Sequence, residues 1–196
     1  MARENTLIQG ESLVQKSALV LGGSLLIAIA AQVSVPMYPV PMTLQTLAIL
    51  LVGFAMGSRL GALAVVAYLA EGLVGLPVFA NGMNGAAFAG PTAGFLVGFI
   101  GLAWMAGFAS ERGMAKGVVG TAVAAIVASA VLYIPGIAWP MAVAGATGIE
   151  AGWIAQDFGS YYWAYFMAPF LVGDLVKAVI AAIIVTGGLK AFSKKA

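Results

Sequence analysis

Six stretches of this chain, residues 17–35, 42–57, 60–74, 91–110, 117–133 and 169–191, are almost uninterrupted apolar sequence, and nothing constrains the fold more. Four of them reach or approach the roughly 20 apolar residues that a transmembrane helix needs. Residues 42–57 and 60–74 are shorter and are expected to pair as a tight hairpin. Physical stops separate the stretches: Pro36, Pro39 and Pro41, then Ser58-Arg59, then a Gly- and Asn-rich loop, then Glu111-Arg112 through Lys116. The 196 residues are 62% hydrophobic and 8% charged, against about 25% charged in an average soluble domain. The expectation is therefore an all-α integral membrane protein, a single domain over residues 1–196, with six transmembrane helices in the lipid bilayer.

Composition excludes whole classes of chemistry. There is no Cys and no His, which removes thiol and imidazole nucleophiles, Ser-His triads and His- or Cys-based metal and haem sites. No metal and no cofactor is expected, and no G-x-x-x-x-G-K-[ST] is present to bind and hydrolyse ATP. The net charge of +2 reflects topology and gives no nucleic-acid surface. Basic residues near helix ends stay cytoplasmic. On a six-span map Arg3, Lys16, Arg59, Arg112, Lys116, Lys190, Lys194 and Lys195 all fall on one side, and only Lys177 does not. Both termini are then cytoplasmic. The first apolar stretch, with Ala28-Ile-Ala30 inside it, resembles an export signal but is longer than a usual signal core, so it is read as an uncleaved span.

Asp174 and Lys177 stand inside the sixth apolar stretch. Charges in hydrocarbon cost a few kcal/mol each on insertion scales, so they persist where they pair, face a protein interior or meet a polar ligand. Three apart on a helix, the two share a face. The plain alternative is an ion pair that only ties helices together.

Counting 1.5 Å of rise per residue puts Asp174, Thr43 and Gln45 at one depth, roughly 21 to 24 Å above the basic residues, with Glu71 and Thr92 within several ångströms of that level. Asn81 and Asn84 of the loop complete a polar layer in the outer third. The inner half carries almost nothing ionisable, which argues against a continuous ion path. The arrangement is that of a cup open to the outside.

Long outer segments, residues 76–90 and 135–168, suit a functional role. Their aromatic residues, Trp139, Trp153, Tyr161, Tyr162, Trp163 and Tyr165, fit a membrane-interface belt as well as ligand contact. Residues 159–168 suit an interfacial helix ahead of Pro169. On the first span, Ala18-x-x-x-Gly22 and Ser24-x-x-x-Ala28 repeat a small-residue spacing that lets helices approach closely, either within the bundle or against a partner subunit.

Four separated strings, Val40-Pro-Met-Thr-Leu-Gln-Thr46, Gly75-Leu-Pro-Val-Phe-Ala80, Gly90-Pro-Thr-Ala-Gly-Phe95 and Gly173-Asp-Leu-Val-Lys-Ala178, resemble in order those of the BioY family. These are the biotin-binding S components of energy-coupling factor transporters. The resemblance covers nearly the whole chain. It implies a six-helix S-component bundle in the bacterial plasma membrane that captures biotin from outside. It also implies association with a transmembrane coupling subunit and two cytoplasmic ATPase subunits.

By the same resemblance Asp174 and Lys177 meet the ligand head group and Asn84 is the loop amide that joins them. A ureido ring has two N–H donors and one carbonyl acceptor, which these side chains can satisfy. Thr43 and Gln45 complete the polar set, and Tyr38, Phe79, Phe88 or Trp139 would suit the apolar body. Biotin's carboxylate finds no Lys or Arg in the outer loops, so loop backbone N–H groups or Lys177 must serve. Ala18, Gly22, Ser24 and Ala28 are the candidates for docking a partner. The rival readings are an S component for another vitamin, a stand-alone facilitator or channel, and an intramembrane enzyme using Glu71 and Asp174.

Overall fold

The computed structural model describes residues 12–150, 152–157 and 159–193. Arg3, Lys194 and Lys195 of the charge pattern lie outside the described residues. Ser12 opens α1 (Leu13–Gln32) with a reciprocal cap: its hydroxyl accepts from the Gln15 N–H at 3.3 Å, and the Gln15 side chain accepts from the Ser12 N–H at 2.8 Å. Past α1 the proline-rich segment makes a short turn, closed by antiparallel pairing of β1 (Ser34–Val35) with β2 (Met42–Thr43).

The expected second and third spans form one bent element, α2 (Gln45–Leu73). Gly57, at φ 79° and ψ 176°, breaks it in a conformation that side chains disfavour. The limbs 45–56 and 58–73 then lie side by side. Gln45 Nε2 donates to Tyr68 Oη at 2.6 Å, although a straight helix would hold these residues roughly 34 Å apart. A Cβ placed on Gly61 would lie 3.0 Å from the Gly53 Cα. Each limb alone is roughly 18 to 24 Å long, short of the roughly 30 Å hydrocarbon core. Taken as a single element, α2 is one of five helices among the described residues that are long and apolar enough to cross a membrane, and its two limbs are the hairpin expected of residues 42–57 and 60–74.

Two 3-10 turns, Ala80–Gly82 and Gly85–Ala89, lead to α3 (Ala93–Glu111). Its last residue secures the bend: Glu111 accepts from the Ser58 N–H at 2.7 Å and from the Ser58 hydroxyl at 2.8 Å. This places a carboxylate at the exposed N–H end of the second limb, where it is favourable.

The next element, α4 (Gly117–Thr147), corrects the expected loop over residues 135–168. A proline inside a helix forfeits one ladder bond but is tolerated in a packed membrane bundle. Pro135 and Pro140 lie inside the helix, which continues because α3 supports it there. Cβ atoms on Gly94 and Gly98 would meet Pro135 and Trp139, or Pro135 and Leu132, at under 3 Å. Gly148, at φ 65°, ends the helix as a left-handed cap.

The expected interfacial helix is instead continuous with the last one. It runs as α5 (Ser160–Tyr162), a π turn (Trp163–Met167) and α6 (Ala168–Ser193). Ahead of it the Ser160 hydroxyl and the N–H groups of Ser160 and Gly159 hold the Asp157 carboxyl below the usual carboxylate range. In the bundle α2 packs against α1, α3 and α6, and α4 against α3 and α6. Ile27, Ile49, Leu50, Val65, Tyr68 and Leu102 fill the interior, while Leu25, Val119, Val172 and many other aliphatic side chains stand on the outer surface. Such a surface belongs in lipid.

Candidate functional site

A cavity of about 290 Å³ sits between the first turns of α2 and α3 and the loops beside them, at the end of the bundle away from the Gly57 bend. That is near the lower limit of small-molecule sites, roughly 300 to 1,000 Å³. Five parts of the chain wall it, the first turn of α2 with Gln45 and Thr46 among them. The proline turn contributes Pro36, Val40 and Met42, the 3-10 loop Phe79 and Met83, α3 Phe95 and Phe99, and the α4–α6 side Tyr133, Phe170, Asp174 and Lys177.

The charged pair lies on this wall. Lys177 Nζ donates to Asp174 Oδ1 at 3.3 Å, and Tyr133 Oη donates to Asp174 Oδ2 at 2.5 Å. The Lys177 and Asp174 side chains are only 9% and 14% exposed. Each carboxylate oxygen has thus one internal donor and keeps acceptor capacity, and Lys177 keeps two N–H groups. In an apolar chamber, a neutral cluster with spare donors and acceptors suits a small ligand that offers both.

A second polar chain runs beside it. The Thr43 hydroxyl donates to Gln45 Oε1 at 2.8 Å, Gln45 Nε2 donates to Tyr68 Oη, and Tyr68 Oη donates to the Val78 carbonyl at 3.2 Å. Every hydroxyl proton is placed, so the Gln45 amide has one orientation and one N–H left over. Tyr68 also meets the Phe79 ring edge-on at 5.2 Å, and that ring is the floor under the loop.

Among the residues singled out from the sequence, Asp174, Lys177, Thr43, Gln45 and Phe79 line the cavity, together with Asn81 and Thr92 of the polar layer. Tyr38, Asn84 and Phe88 do not. Tyr38 is 65% exposed on the outer turn. Asn84 turns its side chain back to accept from the Ala86 N–H at 3.2 Å, and Phe88 stands behind Phe79 with ring centroids 5.8 Å apart. Trp139 donates to the Gly90 carbonyl at 3.0 Å and supports the loop from outside. Glu71 is used between α1 and α2, where it accepts from the Ser24 hydroxyl at 2.7 Å. Among the described residues no group of three or more His, Cys, Asp or Glu could hold a metal.

Tyr133, Phe95, Phe99 and Phe170 went unnoticed in the sequence. A lone phenol two residues ahead of Pro135 in an apolar stretch was the available signal for Tyr133, since a buried tyrosine hydroxyl needs a partner.

The four small residues of α1 divide between two faces. Ala18 and Gly22 are exposed, with nothing within 4 Å of a Cβ on Gly22. Ser24 and Ala28 are 1% and 9% exposed against α2. At 100° per residue the two pairs point roughly 120° apart.

Residues 3–194 match the model of the BioY family. A protein of Rhodobacter capsulatus named biotin transporter BioY is 34% identical over 181 residues, 84% of this chain and 87% of that one. A Rhizobium etli protein of the same name is 37% identical over 155 residues, 78% and 79% of the two chains. The crystal structure of the S-component for biotin from an ECF-type ABC transporter superposes with a TM-score of 0.75 over 93% of this chain and 95% of that one. At 22% identity it speaks for the fold.

Proposed function

The chain belongs to the BioY family, and from that premise we propose that it is a biotin transporter, the substrate-binding S component of an ECF-type transporter, and that biotin occupies the cavity. It is a multi-pass membrane protein of a transporter family, not of an enzyme family. The observation that carries the assignment is the Asp174, Lys177 and Tyr133 cluster opening into an otherwise apolar chamber. A ureido ring offers two N–H donors to Asp174 and a carbonyl to Lys177. Gln45 and Thr43 complete the polar side, and Phe79, Phe95 and Phe99 pack on the rings and the aliphatic chain. Tyr38, Asn84 and Phe88 then belong to the rim and the support of the wall. The carboxylate is met by loop N–H groups or by the free N–H groups of Lys177.

Binding occurs from the extracytoplasmic side, with both termini cytoplasmic. Lys16, Arg59, Arg112 and Lys116 support this, since basic residues are retained at the cytoplasmic face and the loops around the cavity carry none. Met114 and Met83 are 54% and 44% exposed at opposite ends of the bundle. A cysteine replacing Met114 should react only with reagent on the cytoplasmic side, and one replacing Met83 only with reagent outside. Reaction of the first from outside would invert the topology and refute the outward-facing cup.

Inward delivery requires an ATP-driven module, a coupling subunit with two ATPase subunits, and Ala18 and Gly22 on the open face of α1 permit its close approach. Calorimetric titration of the purified protein should show one biotin bound per chain. The double variant Ala18→Leu, Gly22→Leu should bind biotin equally well while ATP-driven uptake in vesicles is lost. Absence of biotin binding by the parent protein would end the functional assignment. Undiminished uptake by the double variant would end only the docking one.

A further inference from the structure

Phe79, Ala80, Asn81 and Met83 bring one tight turn of the outer loop into the cavity wall. The turn is closed on itself, with the Phe79 N–H donating to the Met83 carbonyl at 2.9 Å and the Gly82 N–H to the Phe79 carbonyl at 3.1 Å. Its backbone still needs partners outside, and one side chain provides most of them. Gln32, the last residue of α1, shares the two protons of its Nε2 amino group among the Phe79 carbonyl at 3.1 Å, the Val78 carbonyl at 3.3 Å and the Ala28 carbonyl of its own helix at 3.3 Å. Its Oε1 accepts from the Gly82 N–H at 3.2 Å. A single amide therefore grips both ends of the turn. Two residues on, the Ser34 hydroxyl donates to Asn81 Oδ1 at 3.1 Å.

We infer that Gln32 is a positioning residue for the binding site: it touches no ligand, but it clamps the Phe79–Met83 turn in the place where that turn walls the cavity. The inference deepens the biotin-binding assignment and rests on it for its kinetic arm. The chemistry of the clamp is specific. Two carbonyls and one N–H converge on it, and only a neutral primary amide of this length offers matching donors and an acceptor together. Glutamate would set a carboxylate against two carbonyl oxygens, and leucine would strip one partner from each of the three groups, leaving them only the internal Gly82–Phe79 bond and the Tyr68 hydroxyl on the Val78 carbonyl.

The clamp joins the turn to α1, which touches the rest of the bundle mainly through α2. The opposite side of the turn is held by Tyr68 Oη on the Val78 carbonyl, the end of the polar chain that begins at Thr43 and Gln45 in the cavity. The turn is thus held between α1 and the site itself. Loss of the α1 side frees the turn to swing outward while the helices stay packed.

The test compares Gln32→Leu and Gln32→Glu with the parent in detergent, each also carrying Met83→Cys. Both variants should release bound biotin about ten times faster, a factor that corresponds to about 1.4 kcal/mol in total. The association rate should change little. Thiol labelling at position 83 should accelerate in the ligand-free protein, while the ligand-free melting temperature stays at the parent value. Parent-like dissociation and labelling would overturn the inference. So would faster dissociation accompanied by an equal loss of melting temperature, which marks a residue that merely holds the fold. If the parent fails to bind biotin, the functional assignment falls, and the labelling rates alone then decide whether Gln32 holds the turn.

Discussion

Asp174→Asn should lower the affinity for biotin roughly 10- to 150-fold, because a hydrogen bond to a charged group contributes about 1.5 to 3 kcal/mol. The carboxylate has two oxygens facing the cavity cluster, one taken by Lys177 and one by Tyr133. The amide can turn its oxygen to Lys177 and its NH2 to the Tyr133 oxygen, so the internal contacts survive in altered form. One acceptor for the ligand is lost, however, and Lys177 loses its counter-charge in a buried place. Lys177→Met should remove the donor for the ligand carbonyl and leave the Asp174 charge alone, with a loss of similar size. Tyr133→Phe deletes only the hydroxyl that orients the carboxylate, so its effect should be the smallest of the three. A cluster that only ties α4 to α6 through the Tyr133–Asp174 bond predicts the opposite pattern, with lowered melting temperature and normal biotin affinity in the protein that remains folded. Calorimetric affinity set against melting temperature for all three variants separates the two, and near-native affinity throughout would remove these residues from the site.

The charged pair was legible because charge in hydrocarbon is expensive and therefore informative. Depth counting also succeeded for Thr43 and Gln45, since rise per residue is the same in every helix and both lie near the start of α2. The same counting brought Glu71 to within several ångströms of that depth, yet Glu71 faces Ser24 on α1 and not the cavity. Depth is one coordinate, and the side of the helix is another that apolar sequence hardly encodes. In a soluble helix the polar residues mark the outer face; here lipid and protein interior are equally apolar, so no stripe distinguishes them. That also explains why Ala18-x-x-x-Gly22 and Ser24-x-x-x-Ala28 read alike although one pair is exposed and the other buried.

Element boundaries failed for another reason. Proline and glycine signal breaks in water, where the freed groups find solvent, and the expected end of the fifth stretch near residue 133 followed that rule. In the bundle, close packing of α3 on Pro135 carries α4 on to Thr147. Gly57 gave the converse case. There the charged break at Ser58-Arg59 did mark the expected hairpin: the chain turns at one non-helical residue, and the Ser58 N–H bonds the Glu111 carboxylate. Loop side chains were the least legible. Asn84 is spent on the backbone of its own turn, which no spacing rule could separate from a ligand contact.

Gly107→Ala should damage the fold out of proportion to the one carbon it adds. A Cβ there would lie 2.2 Å from the Gly57 carbonyl carbon and the Ser58 nitrogen, and 2.5 Å from the Ser58 Cα. All three are backbone atoms at the tightest point of α2, and none can rotate aside. The bend cannot retreat easily, because Glu111 one turn further along α3 holds the Ser58 N–H and hydroxyl. Gly53 faces the same helix, with a Cβ position 2.5 Å from the Ala103 carbonyl oxygen, so α2 and α3 touch backbone to backbone along this seam. Overpacking costs typically about 1 to 3 kcal/mol, which for a chain of this size lowers the melting temperature by roughly 2 to 12 °C. Gly107→Leu should yield no monodisperse folded protein. Gly101 on the same helix is the control: nothing lies within 4 Å of its Cβ position, so Gly101→Ala should leave the melting temperature unchanged or raise it, as alanine favours the helix. The consequence reaches the ligand, since the bend sets Gln45 opposite Tyr68 and so builds one wall of the cavity. A Gly107→Ala protein that melts like the parent, measured beside Gly101→Ala in the same detergent, would mean that the α2–α3 seam is looser than the distances require.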